Sequence, residues 1–367
     1  MKVIVVGAGI MGLCTARSLI GRGVEVTLVD ALPLGSPNRA SSDHHRLIRL
    51  PYGKMKGYEA MAREAFEAWD SLWVELGESH YAHTGVILIG DERSDWVKDS
   101  ARALGPEECR ALERPDDMIP GLRLRSDQSA FLAPQAGILM ADRILASLRQ
   151  HLNGVRFVQG RVEEVSDDGL LLEGGGSMRA DRVVLATGAW PWPSGSPAAP
   201  RLPSRQIALY LAQPDDWPVT PFILDLTQET GFYFVPGLLG SPAKLGTHTF
   251  SMRGHPDDDR DCTSVEREAL LRLRAASLPF CADWPVLGFV ANYYDVTPDE
   301  RFVCRFSDSS AWLGGFTGHG FKFGPLIGER LADVILGGSG QDDFARWAAG
   351  RETEQVTRTK KEGRSPE

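Results

Sequence analysis

Between Lys2 and Asp30 the chain sets a β-branched run, a glycine turn, an apolar helix and a second β-branched run in direct succession. Val3 to Val6 read as a strand, Gly7-Ala8-Gly9-Ile10-Met11-Gly12 as the turn, and Leu13, Ala16, Leu19 and Ile20 repeat at helical spacing until Gly23. A second strand is expected over Val24 to Val29. In such a unit Gly7 permits the turn, Gly9 lets backbone N–H groups approach a pyrophosphate at the helix N-terminus, and Gly12 lets helix pack closely on strand. Asp30 ends the second strand, where a carboxylate can accept the hydroxyls of an adenosine ribose. An adenine dinucleotide is therefore the first ligand to consider.

The 367 residues suffice for two lobes, with 43% apolar and 24% charged residues as in ordinary soluble proteins. A net charge of −9 argues against nucleic acid, and the only basic run, Arg358 to Lys361, reads as a solvated end. With the first strand starting at residue 2 and no apolar run of membrane-spanning length, neither a leader nor a membrane is expected, and the address is cytoplasmic. Cys14, Cys109, Cys262, Cys281 and Cys304 are scattered without a CxxC pair, so they read as packed thiols. His44 and His45 are adjacent and diverge, so no metal site is expected.

A Pro/Gly/Ser loop, Leu32 to Ser42, leads into the polar stretch Ser42-Asp43-His44-His45-Arg46-Leu47-Ile48-Arg49. An amphipathic helix follows, with Tyr58, Met61, Ala62, Ala65, Trp69, Leu72, Trp73 and Leu76 on its core face and Gly77 at its end. Asp142 is a candidate cap for a helix over Arg143 to Leu152, followed by strands at Val155–Gln159, Arg161–Val165 and Leu170–Glu173. Asp181 to Leu185 reads as a buried parallel strand that delivers Ala186-Thr187-Gly188-Ala189-Trp190 to a ligand. Beyond the linker Pro191–Pro203 a mixed sheet is expected over Gln206 to Asn292, with a helix from Ser264 to Ala275 under a capping box at Thr263 and Glu266. The fold class is α/β: a Rossmann-like dinucleotide domain plus a mixed-sheet α+β substrate domain. The expected division gives residues 1–80, 135–200 and 300–345 to the first, 81–134 and 201–299 to the second, and 346–367 to a C-terminal tail.

Gly314 to Pro325 is the second informative stretch, with five glycines around His319 and Lys322 and Pro325 placed to open a helix running to Leu336. That helix N-terminus can stabilise negative charge developing on a planar ring such as a reduced flavin. Arg46 and Arg49 lie three apart, Lys244 and His248 four apart, and Tyr233 a little upstream. Arginine forks and lysine charges in one cleft point to an anionic substrate.

At these residues the chain resembles the monomeric sarcosine oxidase and N-methyltryptophan oxidase family, within the flavoproteins similar to D-amino-acid oxidase. The carriers are Gly7–Gly12 with Asp30, Arg46-Leu47-Ile48-Arg49 with Pro51-Tyr52-Gly53, Ala186–Trp190, Lys244–Phe250, Thr297–Phe302 and Gly318-His319-Gly320-Phe321-Lys322-Phe323. The resemblance implies FAD bound along Gly7, Gly9, Ile10, Met11, Gly12, Asp30, Ala31, Ser41, Ser42, Arg46, Val162, Thr187, Gly188, Trp190, Gly315, Gly318, Gly320, Phe321 and Lys322. It implies substrate binding by Arg49, Lys322 and Tyr294, with catalytic roles for Lys244, His248, Tyr233, His319 and Arg46. In that family the lysine matching Lys244 sits over the flavin face where oxygen is reduced, and a cysteine tethers the flavin. Asn292 stands at that cysteine's place, so FAD is expected to be noncovalent. His45 and Ser42 also depart from the family pattern, at positions where it usually has a small hydroxyl residue and often a histidine.

The resulting expectation is an FAD-dependent oxidase that converts a small carboxylate-bearing secondary amine to an imine while O2 becomes H2O2, in a chain for which a monomer is favoured. A dehydrogenase, a glycine-oxidase-like enzyme for primary amines, an NAD-dependent enzyme and an inactive flavin-holding module are the alternatives.

Overall fold

The computed structural model describes residues 1–227, 231–247 and 249–351. His248 and the segment 352–367 thus lie outside the described residues. Lys2–Val6 is central in a six-stranded sheet, flanked in parallel by Glu25–Asp30 and Arg156–Gln159 on one side and by Arg182–Leu185 and Ser310–Gly314 on the other. Val303–Phe306 closes the edge antiparallel. Val3 to Val6 are all buried, as a parallel strand covered on both faces requires. One cover is the helix Ile10–Ile20, which packs on the helix Gly324–Gly337. At Gly328 a Cβ would lie 2.7 Å from the carbonyl carbon of Cys14, so this crossing needs a glycine. Pro325 occupies the first turn, as its spacing predicts.

The long helix Lys56–Leu76 buries Tyr58, Trp69 and Trp73 and ends at Gly77 with φ 75°, so the aromatic stripe is core. Trp69 Nε1 donates to the carbonyl of Lys322 at 2.7 Å, which couples this core to the site loop.

An eight-stranded mixed sheet forms the other wall, in the order Val286–Val296, Leu202–Leu211, Ala243–Thr247, Phe232–Val235, Phe222–Asp225, Val86–Gly90, Ser129–Ala133 and Arg110–Ala111. All pairings are antiparallel except Phe222–Asp225 with Val86–Gly90, so the chain reaches this sheet in two visits. Its outer helix Ser264–Ser277 carries the expected reciprocal cap, Thr263 with Glu266. A small sheet of Arg46–Arg49, Ala136–Leu139 and Tyr81–His83 lies between the two larger ones in sequence and feeds the site.

Some local expectations need correction. Asp142 is not the cap of its helix: Ala141–His151 starts two residues before the expected Arg143, with Met140 at the N-cap, and Asp142 bonds the N–H of Arg143 from within the first turn. The helix Gln341–Ala348, which buries Phe344 and Ala348, takes in residues 346–348 of the segment expected as a C-terminal tail. The first helix starts at Ile10, directly on the glycine turn. All five cysteines are buried and unpaired, and no helix among the described residues is long and apolar enough to cross a membrane.

Candidate active site

The C-terminal ends of the parallel strands open onto a cavity of about 1040 Å³ whose far wall is the mixed sheet. This exceeds the usual small-molecule pocket of roughly 300–1,000 Å³, leaving room for an extended ligand and a second small one. Gly7 has φ +104°, and a Cβ there would sit 2.3 Å from the carbonyl oxygen of Ala186; at Gly12 it would sit 1.7 Å from that of Gly7. Only bare backbone fits. Gly9 faces Ser41, whose Oγ accepts the N–H of Ile10 at 3.0 Å. Asp30 Oδ2 accepts the N–H of Ala8 at 2.6 Å and Oδ1 that of Leu32 at 2.7 Å, while Arg39 donates to Oδ2 at 3.2 Å. The carboxylate expected to meet a ribose therefore also fixes the turn beside it.

Opposite this cradle, the ion pair Arg201–Asp295 (2.9 Å) is buried at both ends. Arg201 also donates to the carbonyls of Gly188 and Trp190, and Asp295 accepts the N–H groups of Gly315 and Phe316. One pair thus pins Thr187–Trp190 against the start of the glycine stretch. Gly318 has φ +71° and abuts the ring of Tyr294, where a Cβ would lie 2.7 Å away.

Most residues expected at a site reach this one cavity. Gly7, Gly9, Ile10, Met11, Asp30, Ala31, Ser41, Ser42, Arg46, Val162, Thr187, Gly188, Trp190, Gly318, Gly320, Phe321 and Lys322 line it, as do Arg49, Tyr233, Lys244, Tyr294 and His319. Gly12 and Gly315 are packed behind its wall, with Gly315 against Thr297 and Val303.

Arg46 and Arg49 serve different parts of the cavity, because positions three apart on a strand face opposite sides. Arg49 lies 4.7 Å from the Tyr52 ring centroid and 5.0 Å from that of Trp96. Lys322 Nζ donates to the Tyr52 hydroxyl at 3.1 Å and to the carbonyl of His319 at 3.2 Å. Burial, and then repulsion from Arg49, holds the Lys322 ammonium well below its ordinary pKa. Among the described residues neither cation has an acidic partner, so this end of the cavity lacks an anion.

Arg46 turns instead to Asp43, which spacing alone left without a role. The carboxylate accepts from Arg46 at 2.6 Å, from the Tyr210 hydroxyl at 2.6 Å, from the N–H of His44 at 2.7 Å and from Lys244 Nζ. Asp43 is held well below the usual carboxylate range, since Lys244 and Arg46 outweigh the burial that opposes ionisation. His45, beside it, is 2% exposed and pushed down to about 3 by burial, so it is neutral. Its Nε2 donates to the carbonyl of Pro242 at 2.9 Å, which leaves Nδ1 as an acceptor without a partner among the described residues.

His319 packs within Tyr52, Tyr58 and Phe302, its Nδ1 3.3 Å from the Tyr52 hydroxyl. Lys244 Nζ lies 5.2 Å from the centroid of Tyr233. Asn292 lines the cavity, accepts from Arg260 at 2.8 Å and donates to the carbonyls of Arg39 and Ser42. It thereby joins the loops on either side. Among the described residues no group of His, Cys, Asp or Glu is arranged to hold a metal.

The glycine turn, the Asp30 strand end and the long two-walled cavity define a dinucleotide-binding oxidoreductase. Residues 2–334 match the family model described as FAD dependent oxidoreductase, and the chain belongs to that family. FAD is its cofactor. It is 28% identical to a monomeric sarcosine oxidase of Bacillus sp. (strain B-0618), over 95% of each chain. To an N-methyl-L-tryptophan oxidase of Salmonella arizonae it is 24% identical, over 91% of this chain and 94% of the other. In fold it is similar to NikD, an amino acid oxidase essential for nikkomycin biosynthesis (TM-score 0.81, 20% identity, 92% and 94% coverage). It is also similar in fold to a fructosamine oxidase from Aspergillus fumigatus (TM-score 0.76, 22% identity, 96% and 91% coverage). The enzyme is an FAD-dependent oxidoreductase of the sarcosine oxidase type.

Proposed function

We propose that the enzyme oxidises the C–N bond of a small carboxylate-bearing secondary amine, an N-methyl or cyclic amino acid, to an imine while O2 is reduced to H2O2. The observation that carries this is the Arg49–Lys322 end of the cavity: two enclosed basic side chains, no acid beside them among the described residues, and aromatic walls from Tyr52 and Trp96. A substrate carboxylate supplies the missing anion. The resemblance to enzymes named for sarcosine and N-methyltryptophan supports an amine at the other end of the molecule.

Bound FAD supplies a two-electron acceptor for hydride and a route for those electrons to O2. Its cradle is Gly7 to Met11, Ser41, Asp30 and Thr187 to Trp190, with no nucleophile at Asn292 to tether it. Arg49 and Lys322 fix the carboxylate and so orient the C–H bond that must break, a positioning effect worth several kcal/mol of barrier. The amine must enter without its proton, because only a free lone pair can form the C=N bond as hydride leaves. The cations around it favour that neutral form. Tyr233 and Tyr294 line the cavity and exclude water, and Lys244 supplies the positive charge that stabilises reduced dioxygen. The imine is then hydrolysed by solvent.

A panel of N-methyl amino acids, proline analogues and primary amino acids, read for peroxide, tests this. Peroxide from secondary amino acids, with little from the primary ones, is the expected result. No peroxide from any carboxylate-bearing amine would overturn it.

A further inference from the structure

Of the seven Arg and Lys side chains that line the cavity, Arg46 and Lys244 are met by Asp43, whereas Arg49 and Lys322 have no acidic partner among the described residues. An organic anion that reaches these four residues meets two cationic centres, Lys244–Arg46 and Arg49–Lys322. We infer that Asp43 makes the choice: as a built-in counter-ion it occupies the Lys244–Arg46 centre, so a substrate carboxylate binds only at Arg49 and Lys322. The inference rests on the amine-oxidase reading above and assigns the orientation of its substrate.

The geometry is that of a filled anion site. Asp43 is 7% exposed and receives Lys244, Arg46, the Tyr210 hydroxyl and a backbone N–H. A carboxylate can accept about four hydrogen bonds, so this one is saturated. Arg46 is largely committed as well: besides the bond to Asp43, three of its five N–H donors go to the carbonyls of Ala40, Ser42 and His45. The partners come from two walls, since Tyr210 and Lys244 are paired in register on neighbouring strands of the mixed sheet. Among the described residues nothing comparable meets Lys322, whose donors reach a phenol and a carbonyl. A second carboxylate at Lys244 would have to displace or protonate Asp43, which those two cations hold ionised. His45 beside it adds no charge.

The consequence is directional. With the carboxylate confined to one end, the amine and its C–H bond meet the flavin in one orientation, and no substrate carboxylate competes with Asp43 for Lys244. Without Asp43 the substrate could bind reversed, with its carboxylate on Lys244.

Acetate binding to the FAD-loaded protein, followed by perturbation of the flavin spectrum, tests this without turnover. The native protein is expected to bind one acetate, and Lys322→Ala to weaken it at least tenfold. The double variant Asp43→Asn/Lys322→Ala is expected to regain at least tenfold over Lys322→Ala. Sulfite affinity of Asp43→Asn alone is expected to rise at least tenfold, since an anion gains access to Lys244 and Arg46. Should the Asn variants lose FAD, Asp43→Ser takes their place in both measurements. A double variant that binds acetate no better than Lys322→Ala, together with sulfite affinity within twofold of native, would overturn the inference. A protein that binds acetate in this pattern but oxidises no amine would contradict the proposed reaction and leave the role of Asp43 standing.

Discussion

Lys322 Nζ lies 3.1 Å from the hydroxyl of Tyr52, whose ring also carries the guanidinium of Arg49 at 4.7 Å from its centroid. One aromatic residue therefore spaces two cations that otherwise repel each other. Replacing Lys322 with Ala removes a charge-assisted bond of about 1.5–3 kcal/mol, so carboxylate ligands are expected to weaken roughly 10- to 150-fold with FAD retained. Titration of the flavin spectrum with acetate reads this directly. Unchanged affinity would remove Lys322 from the site.

Carboxylate binding is also expected to depend on pH in a defined direction. Burial and Arg49 depress the Lys322 pKa in the free enzyme, and an arriving anion restores it. Binding is then strongest below the depressed value, takes up a proton above it, and weakens about tenfold per pH unit there, before the ordinary lysine range is reached. In Lys322→Arg the guanidinium keeps its charge, so the profile is expected to be flat. A sloping profile in that variant would assign the titration to another group.

Arg201 and Asp295 are expected to matter for stability and for FAD together. Truncating Arg201 to Ala leaves Asp295 buried without its cation, at a cost of about 3–5 kcal/mol, and releases the carbonyls of Gly188 and Trp190. Urea denaturation of the holoenzyme measures the first effect and retained flavin absorbance the second. A loss below about 1 kcal/mol would contradict the buried-pair account.

The cofactor is expected to leave on unfolding. Asn292 offers an amide that bonds Arg260 and two backbone carbonyls, and an amide has no nucleophilic sulfur with which to tether a flavin. After acid precipitation all flavin colour should remain in the supernatant. Colour in the pellet would reveal a covalent bond elsewhere on the chain.

Local chemistry made much of this molecule legible. Gly7 to Gly12 announces its strand–turn–helix because the backbone contacts at Gly7 and Gly12 admit no Cβ, and Thr263 with Glu266 announces a helix because both bonds close within four residues. Asp43 was illegible for the opposite reason. Its partners Lys244 and Tyr210 lie 201 and 167 residues away, on a sheet whose approach no spacing encodes. Arg46 and Arg49 are close in sequence, and strand alternation sends them to different centres. Tyr52 and Trp96 gained a role only once the fold placed them against Arg49.

The central claim is that the cavity selects an amine through its carboxylate, and anaerobic flavin bleaching tests it most directly. Sarcosine and dimethylamine present the same N-methyl amine with and without the acid. The account requires sarcosine or a larger N-methyl amino acid to bleach the native flavin, dimethylamine to leave it yellow, and Lys322→Ala to lose most of that difference. Equal bleaching by both amines, or none by any N-methyl amino acid, would contradict it.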